Sequence, residues 1–287
     1  MDNTVVNQRR CVISLGINGP RPLDHPEALF QDFPRGIARI KEDLIRHAFP
    51  GDFIFWDKHY PEGSPIHQQT PWAFKPFCFY EAQKRGYQLV LWLDASIKIK
   101  QPIEPLFELM RQDGYLIFQE YHSVGEYCKD NALNHLEITR EESFTLPCCW
   151  SAVLGLDLNN QRSAEFLRQW KERACDGVTF PGPKWSGVFG WPRTASQDPR
   201  VKGHRHDQTA ASVIALRLGM DQWKSKPLFN EFFECDRSFV KRLQERKGDT
   251  VLKKCVRFGK EIMKKIILVF LKGIKLTIDN VRKKFIK

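Results

Sequence analysis

The segment that most constrains this chain is Tyr87-Gln-Leu-Val-Leu-Trp-Leu93, a nearly unbroken hydrophobic run that stops at Asp94. A strand with one wet face alternates apolar and polar residues, so a run without alternation belongs in the middle of a sheet covered on both sides. An acid directly after such a strand lies at the sheet's carboxyl edge, where open α/β sheets bind their ligands. There Asp94 can hold a divalent cation or a ribose, and Ser96, two residues on, offers a second oxygen on the same side of an extended backbone. A loop-entry or N-cap role for Asp94 is the plainer alternative.

The flanking segments alternate in the same sense. Apolar residues 11–16 run into Gly-Ile-Asn-Gly-Pro as a strand entering a loop, residues 34–47 carry Ile37, Ile40, Leu44 and Ile45 at helical spacing, and residues 53–56 form a second strand. Helical patterns follow over 72–86, 162–174 and 207–219, with a short one ending at Arg111, and strand patterns over 114–118 and 150–156. Strand, helix, strand in succession predicts an α/β domain. The helix from Asp207 to its Gly219 cap is expected to be the last of the globular body. Residues 177–199 show no period but hold four prolines, four glycines, Trp185 and Trp191, the composition of a long ordered loop.

Charge separates the two ends. Of the formal +11, residues 250–287 hold twelve Lys and Arg against Glu261 and Asp279, a balance of ten, so the body is nearly neutral. In this tail Leu252, Cys255, Ile262, Ile266, Phe270, Ile274, Ile278, Val281 and Phe285 recur at threes and fours, and Lys253, Lys254, Arg257, Lys260, Lys264, Lys265, Lys272 and Lys275 lie between them. The pattern predicts a basic amphipathic helix over 249–287 that attaches a domain over 1–248 to an anionic membrane surface. Its longest apolar stretch is residues 266–271, far short of the roughly 20 residues a spanning helix needs. Nucleic acid is not the expected partner, because such segments interleave basic residues with stacking aromatics and this one is aliphatic. The first ten residues lack the apolar core of a secretory signal, and eight cysteines fall without metal-ligand or disulfide-framework spacing. A cytoplasmic, reduced protein, peripheral on the cytosolic face of a membrane, is expected. P-loop, dinucleotide, zinc-protease and esterase motifs are absent from the sequence.

Lys75-Pro76 opening a helix, the strand into Trp92-Leu93-Asp94-Ala95-Ser96, the later Ser151-Ala-Val-Leu-Gly-Leu-Asp157, and His206-Asp207-Gln208 opening a helix together resemble the GT-A-fold glycosyltransferases over roughly 200 residues. The resemblance implies a mixed, mostly parallel Rossmann-like sheet flanked by helices. It also implies a nucleotide-sugar donor, most naturally a UDP-sugar, and a glycan or glycolipid acceptor. Asp94 then matches the first acid of the family's Asp-x-Asp motif, and Ser96 stands where the second would be. A hydroxyl is a weaker ligand than a carboxylate for Mn2+ or Mg2+. If such a cation is bound, Asp94 with His204 or His206 would hold it. Lys75, Ala95 and Arg205 fall on the donor side, Asp207 is the candidate proton acceptor, and Trp185, Trp191 and Ser151 fall on the acceptor side. Together with the tail this reads as transfer of a sugar onto a lipid-linked or cell-envelope glycan. A non-catalytic nucleotide- or sugar-binding domain, or a nucleotidyltransferase with a basic tail, is the alternative.

Overall fold

The computed structural model describes residues 8–18, 32–188 and 190–236. The amphipathic tail and the boundary expected at 248 therefore lie outside the described residues.

A five-stranded sheet carries the domain: β1 (Arg10–Leu15), β2 (Asp52–Trp56), β3 (Leu89–Leu93), β5 (Tyr115–Ser123) and β6 (Pro147–Asp157), in the order β2-β1-β3-β6-β5. β1 pairs in parallel with β2 and β3, while β6 runs antiparallel to both β3 and β5. Four strands thus share one direction and β6 is reversed, the mixed, mostly parallel α/β architecture expected. The hydrophobic run sits at the centre, and all five residues of β3 are buried.

Period-two geometry explains why that run does not alternate. Val90 and Trp92, with Cys11 and Ile13 of β1, pack into a core that includes Phe79 of α2 (Phe74–Lys84), Trp170 of α6 (Gln161–Cys175) and Ala211 of α7 (His206–Arg217). Leu89, Leu91 and Leu93, with Val12, pack on the other face against Leu44 of α1 (Phe33–Arg46), Phe107 of α3 (Glu104–Asp113) and Phe229 of α8 (Lys226–Phe232). Each strand residue is therefore buried whichever way it points. The helices end where local chemistry stops them: the Asp32 carboxylate accepts from the Arg35 amide at the start of α1, and Gly114 closes α3 at φ 86.

Several elements differ from expectation. The helix at His206 is not the last, because α8 and the short strand β7 (Phe233–Cys235) follow it. β7 pairs antiparallel with β4 (Ile97–Ile99) in a separate two-stranded sheet beyond Asp94. Two short helices, α4 (Asp130–His135) and α5 (Arg140–Thr145), interrupt what reads as loop between β5 and β6. Residues 177–199 hold no helix or strand among the described residues. None of the described helices is long and apolar enough to cross a membrane.

Candidate active site

At the carboxyl edge of β3 the chain turns sharply, and the Ile97 amide donates to the Asp94 carbonyl at 2.9 Å. Asp94 to Ile97 therefore form a β-turn rather than extended strand, and the two-residue alternation that would put Ser96 beside Asp94 does not operate. Ser96 does not line the cleft that Asp94 enters. Ala95 is buried away from it against α1, its carbonyl held by Arg39 Nη2 at 2.8 Å. Arg39 Nη2 also donates to the Ile97 carbonyl at 2.7 Å, and Arg39 pairs with Asp236 at 2.5 Å, fixing the turn from behind.

Three separated segments converge on the cleft. Lys75, in the first turn of α2, is only 1% exposed and places Nζ 2.9 Å from Asp207 Oδ2 and 3.1 Å from Asp94 Oδ1. The same ammonium donates to the Ser151 carbonyl at 3.0 Å. Trp92 Nε1 donates to Asp94 Oδ1 at 2.7 Å, which orients the carboxylate. One cation thus joins the end of β3, the middle of β6 and the start of α7. Burial alone would lower the Lys75 pKa, but the charges of Asp207 and Asp94 outweigh it and raise it above its ordinary value, so the ammonium stays charged. Burial raises Asp207 above the usual carboxylate range, opposed by Lys75. Asp207 Oδ2 is buried against the Lys75 ammonium, and the Ser151 hydroxyl is a further hydrogen-bond partner of the carboxylate.

The cleft, about 170 Å3, is further lined by Trp72, Trp150, Lys184, Arg205 and His206. Arg205 is sandwiched between aromatic rings, its guanidinium carbon 4.0 Å from the Tyr127 centroid and 4.7 Å from that of Trp185. Trp185 thus acts here as a stacking partner of Arg205. Neither it nor Trp191 lines the cleft, and Trp191 sits in a turn whose amide donates to the Val188 carbonyl at 2.9 Å. Ser151 does line it. Lys184, Trp72, Trp150 and Gln208 were not expected there. A lone Trp at the start of an element reads as core, and a lysine in an aperiodic loop carries no positional signal.

The two histidines behave differently from one another. His204 is fully buried, with Nε2 2.8 Å from the Thr179 carbonyl and Nδ1 accepting from the Lys129 amide at 3.4 Å. Both ring nitrogens serve the backbone, so its expected place among metal ligands is corrected: it fastens the loop at Thr179 to α7. Burial drives its pKa down to about 3 and keeps the ring neutral. His206 lines the cleft, with Nδ1 2.9 Å from the Phe180 carbonyl.

These donors fit a resident Mn2+ or Mg2+ poorly. Both carboxylates already face the Lys75 ammonium, Ser96 and His204 are directed elsewhere, and no group of three or more His, Cys, Asp or Glu side chains is placed to hold an ion among the described residues.

No protein-family model matches the sequence, and no curated protein matches it. Solved structures that resemble it include a glycosyltransferase involved in glycosylation of the major capsid of PBCV-1, at 11% identity over 82% of this chain and 98% of that one, with a TM-score of 0.43. Mouse xyloside xylosyltransferase 1 in its apo form matches at 14% identity over 76% of this chain and 84% of that one, with a TM-score of 0.38. The bifunctional glycosyltransferase WbbM matches at 13% identity over 85% and 51% of the two chains, with a TM-score of 0.36. None of these likenesses is close enough to assign a substrate.

Proposed function

We propose that the chain is a glycosyltransferase that binds a nucleotide-sugar, by preference a UDP-sugar, in the Asp94 cleft. The observation that carries this reading is the convergence of Asp94, Lys75 and Asp207 at the carboxyl edge of the central strand, in a cleft that also holds Lys184 and Arg205. Transfer breaks the bond between the anomeric carbon and the diphosphate, and the electron pair leaves with the diphosphate. Lys184 and Arg205 are the cations that stabilise this departing charge, which a metal ion supplies in other enzymes. An acceptor hydroxyl oxygen forms the new bond to the anomeric carbon and gives its proton to a carboxylate. Asp207 suits that role, because it lines the cleft and burial raises its proton affinity. Asp94 orients the donor from the position that Trp92 fixes. The basic tail supports an acceptor presented at an anionic membrane on the cytosolic side, a lipid-linked or envelope glycan, with lysines near the surface worth about 1 kcal/mol each.

Turnover of common UDP- and GDP-sugars by the purified full chain, with EDTA and with Mn2+, tests this reading. Release of the nucleoside diphosphate that persists in EDTA and falls at least ~100-fold in Asp94→Asn is expected. Absence of binding and turnover for every donor would sink the transferase, and strict dependence on Mn2+ would sink the metal-free version of it. Flotation of the full chain with phosphatidylglycerol vesicles, lost when Lys253, Lys254, Lys264 and Lys265 are changed to Glu, tests the membrane address. Equal flotation of that variant removes it.

A further inference from the structure

Beside the Asp94 cleft lies a larger groove of about 590 Å3, bounded by β5, α8 and β7 and lined by Glu120, Tyr121, Trp150, Lys226, Phe229 and Asn230 among others. Trp150 lines both spaces, so its indole is a shared wall. That wall is held in place: the ring lies 4.1 Å from Phe229, and the Lys226 ammonium sits 3.1 Å from the indole centroid. Charge links the two spaces as well, because Glu120 is near enough to Arg205 to act on its ionisation.

The lining has the chemistry of sugar recognition. Tyr121 is 83% exposed, an unusual position for a large aromatic at a groove rim, and it offers a flat face to the C–H side of a pyranose. Beside it Glu120, and across from it Asn230, supply hydroxyl acceptors and donors. Lys100 and Lys226 are matched by Glu120 and Glu234, so the groove carries two charges of each sign and favours an uncharged polyol over a phosphate. Its volume falls within the usual range for small-ligand sites, about 300–1,000 Å3.

We propose that this groove is the acceptor subsite and binds a neutral saccharide, whose terminal hydroxyl reaches past Trp150 toward Asp207. The inference rests on the glycosyl-transfer reading for its role, though not for sugar binding itself. Saturation-transfer NMR of the full chain with methyl β-glucoside, methyl β-galactoside, lactose and cellobiose tests binding, and the KM for the sugar that binds tests the role. Tyr121→Ala is expected to weaken binding of that sugar and raise its KM at least tenfold, with a less than threefold rise in the donor KM. Ile45→Ala, which removes an exposed hydrophobic side chain on α1, should change neither. No binding by all four sugars, or undiminished binding to Tyr121→Ala, overturns the subsite, as does an equal rise in both KM values. Tyr121-dependent sugar binding in a protein that turns over no nucleotide-sugar would support the groove while defeating the transferase reading.

Discussion

Trp72 and His206, both lining the cleft, pack against each other with ring centroids 5.0 Å apart, and both hold left-handed backbone, at φ 58 and 46. That region costs residues other than Gly, Asn and Asp about 1–2 kcal/mol, and such strain persists where surrounding structure imposes it. Each residue lies at or just before the start of a helix that delivers a cleft side chain, Lys75 from α2 and Asp207 from α7. His206→Asn and His206→Ala both lose the ring and its bond to the Phe180 carbonyl, but Asn tolerates the left-handed backbone. Urea unfolding should therefore find the Ala variant less stable than the Asn variant by about 1 kcal/mol. Equal midpoints would show that this φ stores no strain.

Lys75 bridges two carboxylates, one of them almost fully buried. Lys75→Met retains much of the aliphatic volume but leaves Asp207 without its counter-charge, at a cost of about 3–5 kcal/mol. Adding Asp207→Asn removes the stranded charge, so the double variant should regain a large part of that loss. Denaturant unfolding of the two single variants and the double variant measures the coupling. Additive losses would mean that Lys75 and Asp207 do not act as a pair.

How much of this was legible beforehand depended on how far each signal is local. β3 and Asp94 could be read because a strand buried on both faces leaves an unmistakable run, and the acid is its direct continuation. Ser96 could not, since alternation holds only in extended chain and the turn from Asp94 to Ile97 breaks it. In Gly203-His-Arg-His the residue types point to function, but nothing in their order says that His204 turns to Thr179 while His206 lines the cleft. Lys75 meets Asp207 across more than a hundred residues of chain, a contact that only the fold creates. The short elements α8 and β7 leave no such signal, because seven and three residues are too few to show a period.

Gly36 on α1 lets that helix approach the Asp94 turn closely. A Cβ there would lie 2.2 Å from the Ala95 carbonyl oxygen and 3.1 Å from the Ala95 Cβ, and the backbone atom has little room to yield. Gly36→Ala should push the turn away from α1, disturb the Arg39 bonds to Ala95 and Ile97, and cost about 1–3 kcal/mol. Because Asp94 begins that turn, donor turnover should fall by more than the stability loss alone would produce at a temperature where the variant remains folded. Thermal unfolding beside donor hydrolysis at 15 °C separates the two effects. Full hydrolysis in a destabilised variant would show that the turn can shift without moving Asp94.

His204 gives the protein a defined acid sensitivity. Burial, aided by nearby Lys129, holds its folded-state pKa near 3, against about 6.5 in the unfolded chain. Below pH 6.5 the unfolded chain takes a proton that the folded protein refuses. The stability associated with neutral His204 is thus complete above that pH and drains away as the pH falls toward 3, at up to about 1.4 kcal/mol per pH unit. His204→Gln keeps an amide able to donate to the Thr179 carbonyl but removes the titrating group. Urea unfolding of both proteins between pH 7 and 4 should give a shallower profile for the variant, by close to one proton. Other groups that titrate in this window, Asp207 among them, are present in both proteins and cancel in the difference. Parallel profiles would mean that His204 takes up its proton equally in the folded and unfolded states, and its ring would then not be committed to Thr179 and Lys129.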